Sequence, residues 1–202
     1  MTTNSNKIIG AVVAVFIILS IAVLVYVNLP KEQKTTPGDT IQPDTNLSIF
    51  SLIYDDEQIN FTMEDLLQLN NYTGKGGYRT QNGVIKGQGN YTGVTITTLV
   101  ESLREVPVLY SMKAYADDGY NLSYNYTTII GNVNIYDPTN ASDPTPIGQG
   151  NLTMVLAYYY EGDWLDESSD GKLKIVFLDE EGSITESSLW MKKVITIRLI
   201  TE

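Results

Sequence analysis

Residues 8–27 read IIGAVVAVFIILSIAVLVYV, twenty positions from Ile8 to Val27 without one charge. No other feature restricts the chain as strongly. At about 1.5 Å per residue, a helix of that length reaches about 30 Å, the thickness of a bilayer's hydrocarbon core. The run has no polar face, which a helix lying on a small domain would need. Tyr26 stands at its outer end, where an aromatic ring suits the headgroup region, and Pro30 then stops the helix. A cleaved signal peptide is the competing reading, with a core of about 7–15 residues and a small-x-small cleavage site. Ser20-Ile21-Ala22 has that spacing, but the apolar run continues past it to Val27. The expectation is a cytoplasmic N-terminus (1–7), an uncleaved single-pass anchor (8–29) and a membrane contact through Ile8 to Val27.

Orientation follows from the remainder of the chain. Lys7 precedes the span while Lys31 and Lys34 follow it, so positive charge does not choose a side. Eight Asn-x-Ser/Thr triplets do, starting at Asn46, Asn60, Asn71, Asn90, Asn121, Asn125, Asn140 and Asn151, none with Pro in the middle. Such triplets accept glycans only outside the cytoplasm, so the C-terminal part is read as an extracellular, N-glycosylated domain at the cell membrane. Residues 30–46 carry Pro30, Pro37 and Pro43 among polar residues and read as a semi-extended linker. Up to Asn46 three lysines balance three acids, so the whole net charge of −11 falls on residues 47–202. That acidity argues against a nucleic-acid partner, which needs a Lys/Arg surplus, and keeps the domain off anionic lipid.

The 202 residues include no Cys and no His. Disulfides, thiolate nucleophiles and the commonest ligands of zinc, copper and iron are thereby excluded. Any metal must be a hard cation held by oxygen, and any proton transfer must fall to Asp, Glu, Lys or Tyr.

Residues 47–202 suffice for one domain with a core. Residues 49–54 (IFSLIY) read as a strand. Thr62 with Asp65 three residues on, ahead of Leu66, Leu67 and Leu69, reads as a capped helix. Residues 72–93 hold seven glycines and are expected to form loops and short hairpins. Ile96, Leu99, Val100 and Leu103 mark one face of a second short helix. A hairpin is expected from strands 112–116 and 120–126 about the turn Asp117-Asp118-Gly119. Residues 136–150, with three prolines, read as a surface loop. Residues 173–178 (LKIVFL) and 190–200 read as strands, the latter alternating with a period of two. The class is α+β and sheet-rich, with a few short helices and one preceding transmembrane helix.

Several segments, in order, resemble those of the sulfite-oxidase-type molybdopterin-binding domain. Tyr91-Thr92-Gly93-Val94 with Leu99 and Val100 resembles its YTGV-x-L-x-x-L-L segment, and Ala114 to Tyr120 (AYADDGY) resembles its A-x-DGY strand pair. Leu156-Ala157-Tyr158 with Glu161-Gly162 and Leu165 is similar to LAY-x-x-NG-x-x-L, residues 171–176 (GKLKIV) to GPLRLV, and residues 190–197 to the closing KW-x-x-x-I-x-I strand. The collinear match runs from about Phe61 to Leu199. It implies a mixed, sheet-rich fold that in active members cradles a molybdenum–pterin cofactor through one Cys thiolate just before YTGV. The matching region here, residues 77–89 (GYRTQNGVIKGQG), holds no Cys. The family's Ser-x-Lys before the final Trp becomes Ser187 with Leu189 in place of the Lys. The resemblance thus implies the fold, while molybdopterin stands on resemblance alone and no cofactor, catalytic residue or metal ligand is assigned.

Two further features carry weaker chemistry. Residues 166–171 (DESSDG) match the first half of a calcium loop, but Lys174 and Phe177 stand at its ninth and twelfth positions; an acidic turn, at most a weak calcium site helped by Asp163, is expected. The fourteen tyrosines, among them Tyr158-Tyr159-Tyr160 near Trp164, suit a half-buried sheet face or an aromatic platform. The functional expectation is a membrane-anchored binding or structural module at the cell surface, without molybdenum, whose partner is a surface protein or glycan; enzymatic activity is left open. Two alternatives stay open: a cofactor-binding or electron-transfer oxidoreductase subunit, and a carbohydrate or peptide adhesion module.

Overall fold

A computed structural model describes residues 47–105, 108–140 and 142–201. The expected anchor (8–29), the linker (30–46) and Asn46 lie outside the described residues. Among those described, no helix is long and apolar enough to cross a membrane.

Two main sheets share one contiguous core. In the first, β1 (Phe50–Tyr54) turns back through Asp55 and Asp56 into β2 (Glu57–Phe61), with Tyr54 opposite Glu57. β1 also runs parallel to the last strand, β13 (Val194–Thr201), which pairs antiparallel with β5 (Tyr110–Ala116). β6 (Asn121–Tyr124) closes that sheet in the order β2-β1-β13-β5-β6. The second sheet is built on the hairpin of β3 (Asn71–Arg79) and β4 (Ile85–Thr95). β4 pairs with β9 (Thr153–Tyr160), which also pairs with the two-residue β10 (Asp163–Trp164) and with β11 (Lys174–Leu178). β12 (Ile184–Glu186) runs parallel to β3 at the far edge. A two-stranded ribbon joins β7 (Asn132–Ile135) to β8 (Gly148–Asn151).

Three short helices interrupt this frame. α1 (Met63–Gln68) has the capping box that Thr62 and Asp65 imply: the Thr62 hydroxyl accepts from Asp65 N–H, and the Asp65 carboxylate accepts from Thr62 N–H at 2.8 Å. α2 (Ile96–Val100) is capped by Thr95 and buries Ile96, Leu99 and Val100, as their spacing predicts. α3 (Tyr126–Ile129) replaces the expected end of a strand. The Asn125 side chain accepts from Thr128 N–H and starts a helical turn there, so β6 stops at Tyr124.

The structure corrects three other expectations. Residues 72–93 are mainly one long hairpin, despite their glycines. A side chain at Gly93 would press on the β9 backbone, 2.5 Å from Ala157 Cα, and one at Gly76 would meet Leu178. Close approach of neighbouring strands, rather than looseness, requires those glycines. Within residues 136–150, Gly148 already belongs to β8, where it pairs with Ile135. The final strand starts at Val194, and a register shift between Val194 and Thr196 breaks its period of two. Val194, Ile197 and Leu199 therefore face the core, while Ile195 and Ile200 stay exposed.

Candidate functional site

Lys174 opens β11, a strand whose five residues are all buried. A charge in an otherwise apolar strand has to be paired, and Lys174, 4% exposed, is. Its Nζ lies 3.0 Å from Asp170 Oδ1, and Lys192 Nζ reaches the same oxygen at 3.0 Å. Asp170 Oδ1 is thus a buried atom held between two ammonium groups. Three rings surround the lysine: Tyr78 at 6.0 Å, Tyr91 at 5.4 Å and Trp190 at 5.5 Å from Nζ to the ring centre. For a desolvated cation each such contact is worth about 2 kcal/mol.

The cage is rigid because its walls hold one another. Tyr78 and Trp190 pack at 5.1 Å, and Tyr91 meets Trp190 edge-on at 5.5 Å. The Trp190 indole N–H donates to the fully buried Thr185 hydroxyl at 2.7 Å. Electrostatics follow the same geometry. Burial pushes the Lys174 ammonium below its usual range, with Asp170 opposing. At Asp170, burial works to raise the carboxyl, but the hydrogen bonds and charges of Lys192 and Lys174 prevail and hold it below the usual carboxylate value. Burial raises the Tyr91 phenol, and the nearby Tyr160 and Asp170 add to the shift.

Tyr91, with its neighbour Tyr160, is hydrogen-bonded to the segment where the family resemblance places its metal-binding thiolate. Tyr91 Oη donates to Gly87 O at 2.9 Å, and Tyr160 Oη to Gln88 O at 2.8 Å. Glu161 Oε1 accepts from Asn90 N–H at 2.7 Å. A methyl group at Gly87 would sit 2.8 Å from the Tyr78 ring, and one at Gly77 2.8 Å from both Gln88 and Ile184. Besides aromatic, aliphatic and carboxamide groups the segment holds Arg79 and Lys86, and Glu161 lies against it, but there is no soft donor, and the buried Lys174 beside it is paired with Asp170. This set offers molybdenum no thiolate ligand.

Beside the cage lies a groove of about 340 Å³, walled by Asp118, Tyr120, Trp190, Met191, Lys192 and Lys193. Lys193 holds its floor in a left-handed conformation (φ 57°): its N–H donates to Asp170 O at 2.7 Å and its carbonyl accepts from Asp117 N–H at 3.0 Å. A larger, open concavity of about 620 Å³ lies against β2 and Arg104, away from the caged lysine.

The other sequence-predicted positions are dispersed. Asn60, Asn71, Asn90, Asn121, Asn125, Asn140 and Asn151 are all exposed. In the turn 166–171, Asp166 accepts from Ser168 N–H and Oγ while Asp170 faces the two lysines, so its carboxylates serve local partners. Tyr158 is a core residue at 1% exposure, whereas Tyr159 packs on Trp164 at 4.5 Å, with Trp164 46% exposed. Sequence reasoning missed the caged lysine. Its signal was a Lys heading the run KIVFL with Asp170 four residues earlier.

No protein-family model matches the chain, and no curated protein is found similar to it. Among solved structures, the sulfane dehydrogenase SoxCD from Paracoccus pantotrophus is similar at a TM-score of 0.51 and 15% identity, over 76% of this chain and 38% of that chain. The match spans well under half of that chain's length. At this identity the likeness is one of fold alone.

Proposed function

We propose that this chain is a membrane-anchored, extracellular module that keeps the sulfite-oxidase-type framework without holding molybdenum and acts in binding or structure at the cell surface. The caged Lys174 carries this reading. Where active members of the resembled family need an open cleft with a thiolate, this domain has three packed rings and a neutralised ion pair. The adjoining groove, with Tyr120 exposed at its rim and two lysines in an acidic domain, is the proposed contact surface for a partner. Its test is elemental and pterin analysis of the full chain purified from its native membranes. The expected result is neither above background; stoichiometric molybdenum or pterin overturns the reading.

The likeness to a dehydrogenase favours the oxidoreductase-subunit alternative. A cofactor absorption band in the purified protein supports that alternative, and a colourless preparation removes it. The exposed Trp164–Tyr159 pair favours the adhesion alternative. Retention on a surface-polysaccharide column, lost in Trp164→Ala, is the result that supports it.

A further inference from the structure

Among the described strands of four or five residues, β2 and β6 at the two ends of the first sheet and β8 in the ribbon pair on one side with no further bridge; β7 and β11 also pair with one strand each, but Tyr136 next to β7 bridges Ile184 and Ile175 of β11 bridges Met191. An open edge of that length presents unpaired backbone groups and invites another chain to add on. Proteins usually blunt such edges with charge, proline or very short strands. In the second sheet β10 and β12 have only two and three residues, and the five-residue β11, which pairs with β9 alone, is buried throughout and bridged to Met191. β6 (NLSY) and β8 (GQGN) have neither charge nor proline, and the one charge of β2 (EQINF), Glu57, is engaged by Arg104 at 3.8 Å. Exposed apolar side chains flank two of these edges, with Tyr120 and Ile130 near β6 and Ile147 just before β8.

Each of the three open edges instead carries an exposed glycosylation triplet: Asn60 in β2, Asn121 in β6 and Asn151 at the end of β8. Asn125 repeats the pattern just beyond β6. We infer that N-linked glycans on Asn60, Asn121 and Asn151 guard the open sheet edges, holding the domain apart from copies of itself. The inference rests on the extracellular reading proposed above. A glycan there is a hydrated, bulky group that a second copy's strand cannot approach without displacing. At Asn60, hydrogen bonds from Ser51 and Gln58 reach Oδ1, leaving the amide held by its oxygen rather than by Nδ2, the atom that a glycan joins. The remaining described triplets, at Asn71, Asn90 and Asn140, lie on the long hairpin or in a loop and serve as internal controls.

The experiment uses the full chain, expressed in a glycosylating host and purified in detergent. Site occupancy is read by mass spectrometry and self-association by sedimentation. One variant set removes the edge triplets (Asn60→Gln, Ser123→Ala, Thr153→Ala); the other removes the controls (Asn71→Gln, Asn90→Gln, Asn140→Gln). The edge set is expected to shift from monomer to oligomer while the control set stays monomeric. Enzymatic removal of glycans from the folded wild-type chain gives the same shift and bypasses any folding defect of the variants. Equal behaviour of the two sets, or bare edge sites beside occupied control sites, overturns the inference alone. Absence of glycan at every site overturns the extracellular reading with it.

Discussion

Asp170 is the residue on which the buried charge depends. Removing one partner of a buried ion pair leaves the other unpaired and costs about 3–5 kcal/mol, unless a second counter-ion remains to take its place. Asp170→Asn is therefore expected to lose about 3 kcal/mol of unfolding free energy, because Lys174 stays buried with only the rings to face. Lys174→Met should change stability by no more than about 1 kcal/mol, since Asp170 keeps Lys192 at 3.0 Å. Urea unfolding followed by tryptophan fluorescence checks both, because Trp190 forms a wall of the cage. A large loss in Lys174→Met would mean that the cation itself organises the three rings.

Short elements here depend on side chains that serve two purposes. Thr62 caps α1 and is also the hydroxyl of the Asn60 triplet; Asn125 caps α3 and begins a triplet of its own. Thr62→Ala should cost about 1 kcal/mol and abolish glycan at Asn60, while Thr62→Asp should keep most of the stability and still lose the glycan. Thermal unfolding beside glycopeptide mapping separates the two effects. The long hairpin depends on close backbone contact rather than on a cap. Gly93→Ala is expected to cost about 1–3 kcal/mol, because its methyl would meet the Leu156–Ala157 peptide of β9. Gly119→Ala, whose methyl meets nothing within 4 Å, should lose only the smaller penalty of its φ of 87°.

For the whole molecule, the absence of His and Cys makes stability nearly flat between about pH 5 and pH 9. The alkaline limb belongs to tyrosines. Burial raises Tyr91, Tyr110, Tyr124, Tyr136 and Tyr158 above 10.0. Each stays protonated in the fold after its unfolded counterpart has ionised, so the unfolded state binds fewer protons and stability falls as pH rises past 10.0. Lys174, lowered from 10.5, acts in the opposite direction, but it is one group against five. At the acid end Asp65, Asp170 and Asp179 lie below 3.8, so the stability they contribute is present above that value and is lost as pH falls through their folded values. Melting temperature from pH 2 to 11, with tyrosinate absorbance recorded in parallel, should trace a plateau with two falling limbs. A slope centred near pH 7 would contradict it.

Local chemistry was legible from the residues alone. Thr62 with Asp65, the apolar face of α2 and the Asp117–Gly119 hairpin follow from side chains that act within a few positions of themselves, and the structure has them where the pattern implies. The sheet-rich class follows from the same local signals. Interactions between segments distant in the chain were not legible. The glycines of β3 and β4 look like breakers until β9 and β11 are packed against them, and the shift at Val194 shows only when β13 meets β5. The cage is the clearest instance: Tyr78, Tyr91 and Trp190 come from three separate stretches and converge on Lys174 only because β3, β4 and β11 are packed together. By itself the sequence determined the periodicities, caps, turns, glycosylation triplets and missing ligand types, all of which are short-range or compositional. Only the tertiary structure decided what the buried lysine faces and which edges lie open, because both depend on free energies that arise when distant strands exclude water together.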